Sequence, residues 1–213
     1  MKTLRLVLGD QLNIKHSWFK EINPDVVYCL FEMRQETDYV KHHIQKVIGF
    51  FAAMRRFSED LQKSGHKVEY LKINDERNTQ NLNTNLQQLI AQYQIEKFEY
   101  ILPDECRLDE QLKDFCKNLK VITQAYSAEH FYTAREELAI FFKGKKQYLM
   151  ENFYRNMRKK HDILMVGNQP EGGKWNYDKS NRNKWKGDID IPVFKSFDND
   201  ISEVISDIKE ANI

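Results

Sequence analysis

The chain has 213 residues, 41% of them hydrophobic and 31% charged, with a net charge of +1. That fits a soluble globular protein of one sizeable α/β domain plus an appended segment. No run approaches the roughly 18–20 apolar residues that span a bilayer, and charges interrupt the apolar start Leu4–Leu8 with no small-residue cleavage site after it, so it reads as a strand, not a signal peptide, and the expected location is the cytoplasm.

In chain order, Thr3–Leu8 is a first strand ending at Gly9-Asp10. Val26–Phe31 is almost wholly apolar, as a strand covered on both faces should be. Ile44, Val47, Ile48, Phe51, Met54, Ser58 and Leu61 recur at three- and four-residue steps and predict an amphipathic helix from Tyr39 to Lys63. Gly65 follows it where a C-cap glycine belongs. Strand Val68–Ile73, helix Leu82–Tyr93, strand Phe98–Leu102, helix Glu105–Asn118 and strand Lys120–Gln124 come next. Strand–helix alternation points to an α/β fold, and right-handed crossovers favour a doubly wound, five-stranded parallel sheet of order 3-2-1-4-5. After about Ser127 the pattern changes, giving a sheet domain at 1–127 and a helical and loop extension at 128–213. In the extension, which shows no strands, Thr133–Phe142 reads as a helix with Thr133 and Glu136 as a capping box. Tyr148–Lys160 and Ile201–Ala211 read as two further helices, with a glycine-, asparagine- and tryptophan-bearing loop at Gly167–Gly187.

Cys29, Cys106 and Cys116 are too few and too widely spaced to suggest a disulfide framework, a zinc site or an iron–sulfur cluster, and Cys29 reads as a buried small hydrophobe. Neither G-x-G-x-x-G nor G-x-x-x-x-G-K-[ST] occurs, which weakens dehydrogenase and NTPase readings. No nucleophile elbow, Cys–His motif or catalytic carboxylate pair stands out, and no metal ligand set is expected.

Open parallel sheets bind ligands beyond the carboxyl ends of their strands. The first strand ends in Gly9, Asp10 and Gln11. This glycine would let a ligand approach the backbone, or simply make a tight turn. The second ends in Phe31-Glu32-Met33-Arg34-Gln35-Glu36, with Tyr39, His42, His43 and Lys46 following. Spaced by four and three, Tyr39, His43 and Lys46 are expected to share a helix face. This set could bind a polar heteroaromatic ring or be a solvated helix start.

Charge is uneven: from Lys143 to Gly187 twelve Lys/Arg stand against four Asp/Glu, a balance of +8, leaving −7 elsewhere. Cations interleave with aromatics in Tyr148–His161, around Trp175 and Tyr177, and in Arg182, Lys184, Trp185 and Lys186. That pattern suits phosphate contact and base stacking, or a solvated face with Trp175 and Tyr177 packed inward.

Five pieces, in order, carry a resemblance: LVLGDQL at the first strand; Glu32, Glu36, Tyr39, Val40, His42 and His43 in E-x-x-x-E and Y-V-x-H-H; FFAAMRRF at Phe50–Phe57; ENFYRNMRKKHDILM at Glu151–Met165; and QPEGGKWNYDKSNR at Gln169–Arg182. The chain resembles the deoxyribodipyrimidine photolyase-related proteins, a bacterial branch of the photolyase/cryptochrome superfamily that includes iron–sulfur (6-4) photolyases. The resemblance implies a Rossmann-like N-terminal domain holding an antenna chromophore, here of the 6,7-dimethyl-8-ribityllumazine type. It implies that FAD and a [4Fe–4S] cluster belong to a helical C-terminal domain, which acts on ultraviolet-damaged DNA and is expected to be absent from these residues. The chain would then serve light-dependent DNA repair without being a catalytic lyase alone. Carried over by position, Gly9, Asp10, Gln11, Phe31, Glu32, Glu36, Tyr39, His43 and Phe50 would line the chromophore pocket. Glu36 would hydrogen-bond the pterin-like ring, and Phe31 and Phe50 would either stack on it or fill its space. Arg182, Lys184 and Lys186 would lie near the domain connection and touch DNA phosphate. Alternatives are a cryptochrome-like photoreceptor module and a nucleotide- or nucleic-acid-binding α/β module without light chemistry.

Overall fold

The computed structural model describes residues 1–184 and 186–213. The apolar run Val26–Phe31 forms strand β2, buried along its whole length. Its side chains alternate between two cores: Val27, Cys29 and Phe31 enter one, and Val26, Tyr28 and Leu30 the other. Such a strand must have covered layers on both sides. It pairs in parallel with β1 (Thr3–Leu6) and β3 (Lys67–Leu71), and β1 pairs with β4 (Lys97–Ile101), which pairs with β5 (Ile122–Tyr126). The sheet order is β3-β2-β1-β4-β5, the doubly wound order expected from the alternation of elements.

On the first face, helices α3 (Leu82–Tyr93) and α4 (Cys106–Lys117) bury Leu82, Leu86, Leu89, Leu108, Leu112 and Phe115 against Leu4, Leu6 and Phe98. On the second, helix α2 (Ile44–Lys63) buries Val47, Phe51, Met54, Phe57 and Leu61. It ends at Ser64, and Gly65 follows at φ +93°, the left-handed conformation that favours glycine. Helix α2 begins five residues later than the expected Tyr39. A separate short helix, α1 (Arg34–Asp38), comes first, and Tyr39–His43 lies outside both.

The chain forms two compact units: Met1–Glu129 with Asn199–Ile213, and His130–Asp198. The last helix, labelled α7 below, spans Ser202–Glu210 and buries Val204 and Ile208 in the α2-side core. Each such side chain contributes about 1.5–3 kcal/mol on burial. Ions fix its position. Glu32, fully buried, accepts from Arg55 Nε at 2.7 Å and Nη2 at 3.0 Å, and Arg55 Nη2 lies 2.7 Å from Asp207. Lys72 pairs with Glu203, and Arg34 donates to the carbonyl of Ala211. A second buried charge, Glu99 on β4, accepts from Arg5 Nε (2.8 Å) and Tyr126 Oη (2.8 Å) and pairs with Lys97. Burial pushes its carboxyl upward, but the hydrogen bonds from Lys97, Arg5 and Tyr126 outweigh that and hold it below the usual value.

The second unit contains α5 (Glu137–Phe142), α6 (Met150–His161) and a small antiparallel hairpin, β6 (Met165–Val166) and β7 (Gln169–Pro170). The hairpin corrects the strandless reading of this region; its Gly167, at φ +57°, makes the tight reversal possible. The expected capping box at Thr133 and Glu136 does not form; the helix starts at Glu137, whose own carboxylate accepts from Ala134 N at 3.2 Å. Phe142 and Phe153 are buried, with Phe141 packed edge-on to Phe153 at 5.1 Å. Arg158 is also buried and donates to the carbonyls of Ile163, Leu164 and Trp175.

Candidate functional site

Beyond the carboxyl ends of β1 and β2 lies a cavity of about 270 Å³. Its apolar wall comes from both cores and includes Leu6, Met33, Phe51, Met54 and Leu108. Its polar lining is Asp10, Glu36, Thr37, Tyr39, His42, Lys46 and Glu105. The combination of an apolar chamber with a few polar groups is that of a small-molecule site.

Of the residues singled out from sequence, the cavity gathers Gly9, Asp10, Phe31, Glu36, Tyr39 and Phe50. Gly9 has a specific steric reason. A Cβ there would lie 2.7 Å from Phe50 Cζ and 2.8 Å from Met54 Sδ. What approaches this backbone is helix α2, so Phe50 forms a wall pressed onto Gly9. Phe31 is buried in the first core, and open volume remains beside both rings.

Three residues do other work. The Gln11 side chain accepts from Leu8 N (3.0 Å) and donates to the carbonyls of Ile101 (3.1 Å) and Leu102 (3.4 Å). It thereby ties together the ends of β1 and β4, at the point where strand order reverses. Glu32 accepts four bonds, two from Arg55, one from Tyr70 Oη and one from Ile73 N, which occupies both oxygens. His43 caps α2, with Nδ1 accepting from Gln45 N at 3.2 Å. The expected common helix face of Tyr39, His43 and Lys46 is therefore absent: only Lys46 is helical.

Glu36 sits on α1 and accepts from Arg107 Nη2 at 3.3 Å on each oxygen. Its burial pushes the carboxyl above its ordinary value, further than Arg107 pulls it down, and Glu105 and Asp10 add to the rise. Such a group can serve as acceptor or, when protonated, as donor. Arg107 also pairs with Glu105 at 3.1 Å and lies over the Tyr39 ring at 4.9 Å. Tyr39 is 59% exposed and meets the His42 ring edge-on at 5.1 Å. Sequence reasoning missed Arg107 and Glu105. They follow the carboxyl end of β4, in Pro103-Asp104-Glu105-Cys106-Arg107, so the same strand-end rule applied to β4 would have found them.

The chain's sequence matches, over residues 5–213, the model of the family described as deoxyribodipyrimidine photo-lyase-related protein. The chain belongs to this family. Among photolyase-related relatives, it is 31% identical to a (6-4) photolyase of Agrobacterium fabrum over 98% of its own length and 42% of that protein. It is 28% identical to "Uncharacterized protein R852" of Acanthamoeba polyphaga mimivirus, over 85% of this chain and 94% of the viral one. This photolyase-related chain thus spans under half of the bacterial enzyme. Among its described residues no cluster of His, Cys, Asp and Glu could hold a metal ion, and no helix is long and apolar enough to cross a membrane.

Proposed function

We propose that the cavity holds the flat ring of an antenna chromophore of the 6,7-dimethyl-8-ribityllumazine type, and that the chain serves light-dependent DNA repair as a light-collecting domain. The supporting observation is the cavity itself: an apolar chamber at the ends of β1 and β2 with one half-buried, proton-favouring carboxyl, Glu36, in a chain 31% identical to a (6-4) photolyase. Phe50 and Met54 offer a flat, polarizable wall suited to stacking on a ring. Glu36 offers hydrogen bonds to ring nitrogens or oxygens. A bound lumazine would supply near-ultraviolet absorption and pass the excitation to a flavin. FAD, a [4Fe–4S] cluster and the repair of ultraviolet-damaged DNA are assigned to a further domain in cis, and the cytoplasm is the proposed location. Adding 6,7-dimethyl-8-ribityllumazine to the purified chain should shift the chromophore's absorbance and quench its fluorescence. Glu36→Ala should weaken binding on the order of tenfold, as loss of a charge-assisted hydrogen bond does. No spectral change at saturating ligand would overturn the reading.

A second reading concerns nucleic acid. In the His130–Asp198 unit, the half-buried Trp175 ring has Arg155, Arg158 and Lys159 at 5.3–5.4 Å. With Tyr154 and Tyr177 it lines a cavity of about 540 Å³. Arg182, Lys184 and Lys186 are exposed, while Trp185 lies outside the described residues. Cations around an aromatic face suit phosphate and base together. If this surface touches DNA, alanine at Arg182, Lys184 and Lys186 lowers affinity and flattens its dependence on salt. Unchanged affinity in fluorescence anisotropy would remove the role.

A further inference from the structure

We infer that the cavity of the His130–Asp198 unit takes an unpaired guanine base of single-stranded nucleic acid. The rings of Tyr154, Trp175 and Tyr177 form its walls, and the carboxylates of Glu171 and Asp178 read the base. This rests on the nucleic-acid reading of that unit and adds the identity of the base. At about 540 Å³ the cavity falls within the roughly 300–1,000 Å³ of small-ligand pockets. Its walls are anchored. Arg158 is buried and commits its guanidinium to the carbonyls of Ile163, Leu164 and Trp175, with the Tyr154 and Trp175 rings 5.7 and 5.4 Å from it. Tyr177 lays its Oη over Gly172, where a Cβ would collide with it. Tyr154 and Tyr177 are nevertheless 46% and 48% exposed, so both rings keep uncovered surface on which a base can stack.

The polar atoms left open in this lining are acceptors. Glu151 receives Arg155 Nε at 2.9 Å and Asn176 Nδ2 at 3.4 Å, both on Oε1. Among the described residues, the carboxylates of Glu171 and Asp178 have no hydrogen-bond or ionic partner. An occupant therefore has to bring donors. The surroundings ask for the opposite charge. Lys143–Gly187 carries a balance of +8, and Arg155 and Lys159, outside the cavity lining, approach the Trp175 ring at 5.3 and 5.4 Å. A lysine or arginine side chain would satisfy the carboxylates but be repelled by that surface. A nucleotide answers both, with a donor-bearing base inside and phosphate on the cations outside. Among the bases, guanine sets N1–H and the 2-amino group side by side, a donor pair that a carboxylate accepts bidentately. Adenine and cytosine place an acceptor beside their amino group, and thymine flanks its one N–H with carbonyl oxygens that carboxylates repel. In a duplex the guanine edge faces the partner strand, so the base must be unpaired.

The test measures fluorescence anisotropy of labelled single strands with the full chain. The strands are oligothymidine, the same strand with a central guanine, and that strand with hypoxanthine, which lacks the 2-amino group, in place of guanine. The guanine strand should bind on the order of tenfold more tightly than oligothymidine, and hypoxanthine should lose most of that gain. Glu171→Gln together with Asp178→Asn should bring the ratio of the guanine and thymidine affinities towards one while oligothymidine still binds. Both side chains are exposed, and circular dichroism checks that the variant folds. Equal affinity for the strands, or a preference that survives the double substitution, would overturn this inference and leave the nucleic-acid reading standing. Failure of every strand to bind would overturn both.

Discussion

Gly9 and Glu36 make separate, measurable demands on single side chains. At Gly9, alanine would press its Cβ into the Phe50 ring and the Met54 sulfur. Overpacking of this kind costs about 1–3 kcal/mol, which urea unfolding would resolve. Shortening Phe50 to leucine in the same chain should recover part of the loss; if Gly9→Ala alone leaves the midpoint unchanged, the packing argument is wrong. Glu36 and Glu99 make opposite demands on pH. Glu36 has a folded value above the ordinary 4.5, so the fold favours its proton. Its contribution is complete below pH 4.5 and is lost as pH rises through the folded value. Glu99 has a folded value below 4.5, so its contribution is present above 4.5 and is lost as pH falls through the folded value. Stability curves of Glu36→Gln should therefore fall less steeply above pH 4.5, and those of Glu99→Gln less steeply below it. Identical slopes in variant and parent would contradict these assignments.

Among the elements, α7 is held by charges as well as by apolar packing. Arg55→Ala would leave Glu32 buried without its guanidinium, a loss of about 3–5 kcal/mol. Replacing Glu32 and Arg55 together by methionine and leucine should cost less than the sum of the two single replacements, since neither partner of that pair is then left alone, although Asp207 still loses its guanidinium; strict additivity in a double-mutant cycle would refute the coupling. Elements were legible in the sequence where one face alternates or steps regularly. Strand β2 and helix α3 match the expected limits, Val26–Phe31 and Leu82–Tyr93, because burial dictates every second or every third and fourth residue. Strand β5 was expected at Lys120–Gln124 and lies at Ile122–Tyr126. It is an edge strand with mostly exposed side chains, so no alternation marks its register. The start of α2 was missed because its cap is a histidine, outside the usual Ser, Thr, Asp and Asn. Glu36 and Tyr39 could be found as cavity residues because they follow the end of β2, whereas Phe50, inside α2, was found only through the family resemblance. The closed bonding of Gln11 and Glu32 could not, since it depends on partners 90 and 23 residues away.

For the whole molecule, the first unit is built from two separated stretches of chain, Met1–Glu129 and Asn199–Ile213. Removing residues 199–213 should destabilise the sheet, since Val204 and Ile208 leave its core and Arg55 loses Asp207. A fall in melting temperature for the truncated chain checks this; an unchanged value would mean that α7 rests on the sheet without supporting it. The return of α7 also sets the address of the chain's last residues. Arg34, two positions before Glu36 on α1, holds the carbonyl of Ala211, so the polypeptide at Ile213 is moored next to the helix that carries the cavity's carboxyl. Anything fused there, a reporter dye or a second protein, is leashed within a few residues of that chamber. Dipolar energy exchange between the two would be governed by this short tether, and lengthening it residue by residue would act as a ruler on the coupling.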